Sequence, residues 1–247
     1  MSRLYDLTDR VVGRIDALDP VIEVPRFAKE YEKARPDLIE KLSREAAGRP
    51  GFVDRLSVAL LGLVKEIPVI VGALREAVEK RSTHPAVRCA MVGALAYLVQ
   101  PRDLIPDDRP GGFGFIDDSL ILRATVSEYF DALPLGFTNP ERERENIRLL
   151  ALCVPPARLS EFQAQVDGVW HLFHRLLLLP LDSVDRAISE FEENPLEASL
   201  AGVAPAPEGL PPGPDLALAC DCTIRLRDGA PCLVFQDGVE VVLGNPP

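Results

Sequence analysis

The chain has 247 residues, 47% of them hydrophobic, which is enough to bury a sizeable core as one large domain or one domain with a small appendage. Its 38 acidic residues outnumber 27 basic ones, and the net charge of -11 repels phosphate backbones and anionic lipid headgroups, which argues against nucleic acid as a partner. Five cysteines at irregular spacing do not read as a disulfide framework, and the charged opening MSRLYDLTDRVVGRIDALD lacks the apolar core of a secretory signal, so a cytoplasmic protein with reduced thiols is expected.

From residue 3 to about 193 apolar residues recur at three- and four-residue spacing between proline-containing breaks. This pattern predicts eight or nine helices in a mainly α, multi-helix globular bundle spanning residues 1–194. Two apolar stretches, SVALLGLVKEIPVIVGAL from Ser57 and CAMVGALAYLV from Cys89, are expected as buried core helices. Lys65, Glu66 and Pro68 interrupt the first, and the second is about half the roughly 20 residues that a bilayer-spanning helix needs. No basic cluster flanks either stretch, so peripheral membrane attachment is the weakest functional reading. Ser82-Thr83-His84-Pro85 marks the start of the Cys89 helix.

Residues 97–122, YLVQPRDLIPDDRPGGFGFIDDSLIL, place five aspartates, three prolines and three glycines between two helical patterns. Pro101, Pro106 and Pro110 each fix a backbone dihedral and push the preceding residue out of helical conformation, which stiffens the loop. Leu104 and Ile105 are the apolar pair expected to pin it to the core. Asp117-Asp118-Ser119 supplies N-cap residue types for the next helix, and Asp103 and Asp107 can accept N–H bonds in the turns they begin. The competing reading starts from charge: five carboxylates beside only Arg102 and Arg109 repel one another unless protonated or neutralised by a cation. Asp103, Asp107, Asp117 and Asp118 would then form an oxygen-only site for Mg²⁺ or Ca²⁺. The run GGFG does not make a phosphate loop, because Asp117 and Asp118 already bring negative charge to the helix's positive end.

The stretch resembles the YkvA-like domain, a family of unknown function, through Tyr97, Pro101, the run Asp103-Leu104-Ile105-Pro106-Asp107, Pro110, Gly114 and Asp117-Asp118. The resemblance covers about residues 85–130 and implies a helical fold with no established activity, catalytic residue or cofactor. The chain departs from the family's pattern at Gln100, where serine is usual, and at Arg109, where an apolar residue is usual. Gly111-Gly112-Phe113 also lengthens the approach to the paired aspartates.

Further along, Asn139 and Pro140 are expected to cap and open a helix whose first turn carries Glu141 and Glu143. A long helix is expected over PPARLSEFQAQVDGVWHLFHRLLLL. It would put Asp167, His171 and His174 on one face with the spacing of a metal-ligand triplet, at the edge of an apolar stripe where histidines are also ordinary. Between Pro195 and Asp215 six prolines and three glycines end the periodicity and mark a semi-stiff linker. Residues 216–247 then read as a small three-stranded antiparallel β meander, with Asp228-Gly229 and Asp237-Gly238 as its turns. Cys220, Cys222 and Cys232 are one thiol short of a structural zinc set and are better read as packed in the small β core.

A meander this small is not stable alone and has to dock on the helical body, a second copy of the chain or another protein. No nucleophile elbow, Walker sequence, dinucleotide fingerprint or H-E-x-x-H run is present. The leading expectation is therefore a non-catalytic protein-interaction or scaffold module, which binds a protein partner or itself through the C-terminal β segment. The alternative is a divalent-metal-dependent, hydrolase-like enzyme built on the aspartate-rich loop.

Overall fold

The computed structural model describes residues 2–45, 51–101, 104–134, 136–198, 214–219, 221–227 and 230–243. The chain opens with α1 (Arg3–Asp16), where the Ser2 hydroxyl accepts the Tyr5 N–H, and α2 (Pro20–Ala34), where the Asp19 carboxylate accepts the Val21 N–H at 2.9 Å. Next come α3 (Pro36–Glu45), α4 (Phe52–Lys65), α5 (Ile67–Glu79) and α6 (Pro85–Tyr97). The ring Nδ1 of His84 caps α6 by accepting the Ala86 N–H at 3.2 Å. A 3₁₀ turn over Pro110–Phe115 runs directly into α7 (Ile116–Glu128). Beyond it lie α8 (Pro140–Ala151), α9 (Leu159–Trp170), α10 (Leu172–Leu176), α11 (Leu181–Glu193) and the short α12 (Leu216–Ala219). Asn139 caps α8 through the Arg142 N–H at 2.8 Å, as the sequence predicts.

Eleven helices precede residue 194 among the described residues, more than the eight or nine expected. Two breaks account for the excess. Glu66 ends α4, and Pro68, which has no N–H to continue the hydrogen-bond ladder, falls in the first turn of α5. The long helix predicted over residues 155–179 is divided at His171 into α9 and α10, although the His171 N–H still donates to the Asp167 carbonyl at 2.9 Å. Taken together, Phe52–Glu79 is 28 residues long and apolar enough to cross a membrane by length and composition, yet 56% of its most apolar window is buried within the fold.

α7 is the centre of the bundle. Every residue from Ile116 to Ser127 is buried, with α4, α5, α6, α8 and α9 packed around it. α11 lies across α6 and α1, and α2 lies against both α4 and the 3₁₀ turn. That last contact explains the inserted glycines. A Cβ on Gly111 (φ 75°) would meet the Phe27 backbone nitrogen at 2.3 Å, so the turn can lie flush on α2 only without a side chain there.

The chain ends in strands β1 (Cys222–Arg227), β2 (Ala230–Phe235) and β3 (Glu240–Val242), which form one antiparallel sheet in sequence order. Ile224 pairs with Leu233, and Leu233 with Val241, so these residues share the sheet face that turns to the helices. The meander docks on the chain's own helical body. Cys222, Leu233, Phe235 and Leu243 join the main core. At the rim, Lys41 of α3 binds Asp221, Glu45 accepts the Ile224 N–H at 3.0 Å, and Arg148 of α8 binds Asp237 at 3.0 Å. Asp228-Gly229 and most of the predicted linker fall outside the described residues. Both described ends of the linker are held: the Gln100 side chain donates to the carbonyls of Pro195 (3.0 Å) and Ala198 (2.9 Å), and the Gln163 amide brackets Pro214 and Leu216.

Candidate functional site

The signature loop leaves α6 at Tyr97 and returns to the bundle as α7, and Asp117 fastens the two ends together. Its Oδ2 accepts the N–H of Leu104 (2.7 Å), the N–H of Ile105 (3.1 Å) and the Tyr97 hydroxyl (3.2 Å). Asp117 is not the N-cap that the sequence suggests. α7 begins at Ile116 with Phe115 at the cap position, because the 3₁₀ turn feeds straight into the helix and leaves no extended residue to cap it. Asp117 and Asp118 sit in the first turn instead, and Asp117 points its carboxylate back at the loop. Burial pushes the Asp117 carboxyl up to about 6, against the pull of its hydrogen-bond donors. Its second oxygen receives no hydrogen bond among the described residues. Asp118, beside it, is fully buried.

The other predicted ligands are dispersed. Asp107 pairs with Arg14 of α1 at 2.8 Å, and the same guanidinium donates to the Asp107 carbonyl at 3.1 Å. Burial raises the Asp107 carboxyl while Arg14 lowers it. Asp103 lies outside the described residues. Among the described residues, no group of three or more His, Cys, Asp or Glu side chains is arranged to hold a metal ion. That includes Asp167, His171 and His174, and the Asp167 carboxylate accepts from the Gln163 side chain at 2.9 Å. Cys220 is outside the described residues. Cys222 and Cys232 are reduced and buried, with the Cys222 thiol pushed up to about 12 by burial.

The remaining signature residues build the loop. Ile105 is buried and Leu104 packs beside the core, as the sequence predicts. Pro110 opens the 3₁₀ turn, and Pro106 presents its carbonyl so close to Gly114 that a Cβ there would meet it at 2.6 Å. Pro101 is exposed. From the loop, Arg109 reaches the buried Glu30 at 3.1 Å, and Arg158 donates to the Leu104 carbonyl. These groups, with Lys33, line a cleft of about 210 Å³ on the loop's outer side.

One charged cluster escapes prediction altogether. Arg123, one and a half turns beyond Asp118, is 1% exposed, and its guanidinium donates to Glu143 (2.7 Å), Glu66 (2.7 Å), the Leu63 carbonyl (3.1 Å) and Ser119 (3.4 Å). Thr138 donates to the other oxygen of Glu143 at 2.7 Å. The only trace of this cluster in the sequence is a single arginine inside the apolar run LILRATV.

A second cavity, of about 220 Å³, opens between α6, α9, α10 and α11, and the signature stretch contributes Tyr97 and Gln100 to its wall.

The sequence model of a family described as "Protein of unknown function (DUF1232)" matches residues 87–123, which are α6, the loop and the first half of α7. The match spans the Tyr97–Asp117 clasp and carries no activity with it. No curated protein and no solved structure matches the chain.

Proposed function

We propose that the chain is a YkvA-like, non-catalytic interaction module that holds a protein partner at the corner between α10 and α11. One observation carries this reading: Leu177, Leu178 and Leu181 are 48%, 59% and 61% exposed within five residues of chain. Large apolar side chains grouped in this way on a soluble surface mark contact sites. The exposed Asp182 and Asp185 follow directly, so the partner offers an apolar anchor flanked by basic residues. A second copy of a chain with net charge -11 is a poor match for that corner. The C-terminal meander, the surface the sequence suggests for this role, has its apolar residues Cys222, Leu233 and Phe235 in the chain's own core, with β1 beside α3. The reduced, buried thiols among the described residues suit a cytoplasmic setting.

Photo-crosslinking in cells tests this. A photoreactive residue at position 178 should give a discrete protein adduct that weakens with added salt and disappears with Leu181→Asp. The same residue at the exposed Glu190 should give none. No adduct at 178, or equal adducts at both positions, refutes the assignment. Liposome flotation of the same variants distinguishes a protein partner from peripheral membrane attachment.

A second reading, divalent-metal-dependent hydrolysis, draws on the buried Asp117 oxygen that no described group reaches. Mg²⁺ or Ca²⁺ would take ligands from Asp103, Asp107, Asp117 and Asp118. It predicts a rise in melting temperature with Mg²⁺, Mn²⁺ or Ca²⁺ that Asp118→Asn removes, and a flat titration rejects it.

A further inference from the structure

The cleft on the outer side of the signature loop carries more positive than negative charge, on a chain whose balance is the reverse. Three cations reach it from three parts of the chain: Lys33 from α2, Arg109 from the loop and Arg158 from the turn before α9. Each has a partner, and the surplus comes from how the partners are shared. Lys33 and Arg109 divide one carboxylate between them, that of Glu30, whose side chain is 7% exposed; one oxygen accepts from Lys33 and the other from Arg109 at 3.1 Å. Among the described residues neither cation has a second carboxylate, so the trio keeps one positive charge uncompensated. Arg158 is balanced by Glu161 at 2.8 Å, a half-exposed residue that is not part of the wall. Arg109 commits only Nη1 of its three nitrogens, which leaves donors over as well as charge.

Features particular to this chain build the cleft. Arg109 stands where an apolar residue is usual, and Gly111 lets the turn lie flush on α2 at Phe27, one helical turn from Glu30. The rest of the wall is apolar and includes Leu104, Ile105, Phe113 and Pro155. With three positive charges and one negative on the wall, a monocarboxylate leaves the surplus partly unmet. A phosphate monoester, with up to two charges and three acceptor oxygens, can meet all three cations at once. At about 210 Å³ the cleft falls below the roughly 300–1,000 Å³ usual for ligand sites, so the phosphate carries only a short hydrocarbon body. We propose that this cleft binds a small, soluble phosphate monoester, its oxygens on Lys33, Arg109 and Arg158 and its carbon chain on Ile105 and Phe113.

Propyl phosphate, inorganic phosphate and butyrate, each titrated onto the full chain and followed by calorimetry and melting temperature, test the assignment. Propyl phosphate should bind saturably, raise the melting temperature and weaken with added salt. Inorganic phosphate, which lacks the carbon chain, and butyrate, which lacks the second charge, should each bind about tenfold more weakly. Arg109→Gln should weaken propyl phosphate about tenfold with little change in melting temperature, since the guanidinium is half-exposed and Lys33 still covers Glu30. Lys41→Gln removes the same charge at the meander seam and should leave the affinity unchanged. In the unmutated chain, NMR should place the propyl protons against Ile105 or Phe113, which locates the site without any variant. Vesicles bearing a lipid with a phosphate-monoester headgroup should not capture the chain. The proposal is overturned by no saturable binding of propyl phosphate, by equal affinity for either comparison anion, by undiminished affinity in a folded Arg109→Gln chain, by an equal loss in Lys41→Gln, by propyl contacts elsewhere on the molecule, or by capture on the vesicles.

Discussion

Arg123 and Arg148 each reach a carboxylate on another element, yet the regions they serve are built on different physics. Around α7 the guanidinium of Arg123 and the carboxylate of Glu143 are both almost wholly removed from water, in one network with Glu66, Ser119, Thr138 and the Leu63 carbonyl. At the seam between the meander and the helices, Arg148 and Asp237 are each about a quarter exposed, and the apolar residues Leu233 and Phe235 lie beneath them in the core. In the first region a charge holds the centre of the bundle and cannot be removed singly. In the second, burial of hydrocarbon holds the sheet, and the ion pairs trim its edge.

The sharpest attempt to break this contrast is Arg123→Ala. It leaves Glu143 buried without its partner and should cost about 3–5 kcal/mol in denaturant unfolding. The double change Arg123→Met with Glu143→Leu should recover most of that, since an apolar pair of similar volume replaces a buried ion pair at little net cost. Recovery would show that the network's cost lies in desolvation. On the other side, Leu233→Ala should destabilise by about 2–5 kcal/mol, because a fully buried side chain of the meander leaves a cavity against the helices. A loss confined to the sheet's own signals, with the helices melting unchanged, would show that the seam is not cooperative with the body.

Asp117 gives the contrast a pH signature. Its folded-state value lies above the usual carboxylate value of 3.8, at about 6, so folding favours the protonated acid. Its contribution is therefore fully present below about pH 4 and lost as pH rises through about 6. Compared with Asp117→Asn, the unmutated chain should gain about 2–3 kcal/mol between pH 7 and pH 4, a trend opposite to that of Asp37 and Asp221, whose arginine and lysine partners hold them below the usual range. The smallest effects belong to the rim: Lys41→Ala and Arg148→Ala should each cost about 0.2–1 kcal/mol and fade with added salt.

Much of this architecture is legible in the sequence because local rules set it. The helical body, the caps at His84 and Asn139, the pinning of the loop by Ile105 and the antiparallel meander all follow from periodicity, capping chemistry and turn dipeptides. What escapes is set by distant parts of the chain. Asp117 has the composition of an N-cap, and only the path of the 3₁₀ turn shows that its carboxylate serves residues 104 and 105 instead. Gln100 and Gly111, departures from the family's pattern in sequence, acquire roles once residues 195–198 and Phe27 come within reach of them. The Arg123 cluster joins three helices and a loop, and no window of sequence contains it. Among the described residues the expected Asp167, His171 and His174 row forms no metal-holding group, and periodicity alone does not show that one helix gives way to another at His171.

The enclosure of α7 has a consequence for how the molecule breathes. With every residue from Ile116 to Ser127 shielded by five neighbouring helices, its amide protons have no partial route to solvent. Their exchange with deuterium should wait for opening of the entire bundle and so report its global unfolding free energy, while the amides of the three-residue edge strand β3 should trade within far smaller, local excursions. The slowest clock in the protein therefore ticks in a helix whose first half lies within the stretch that the family model matches.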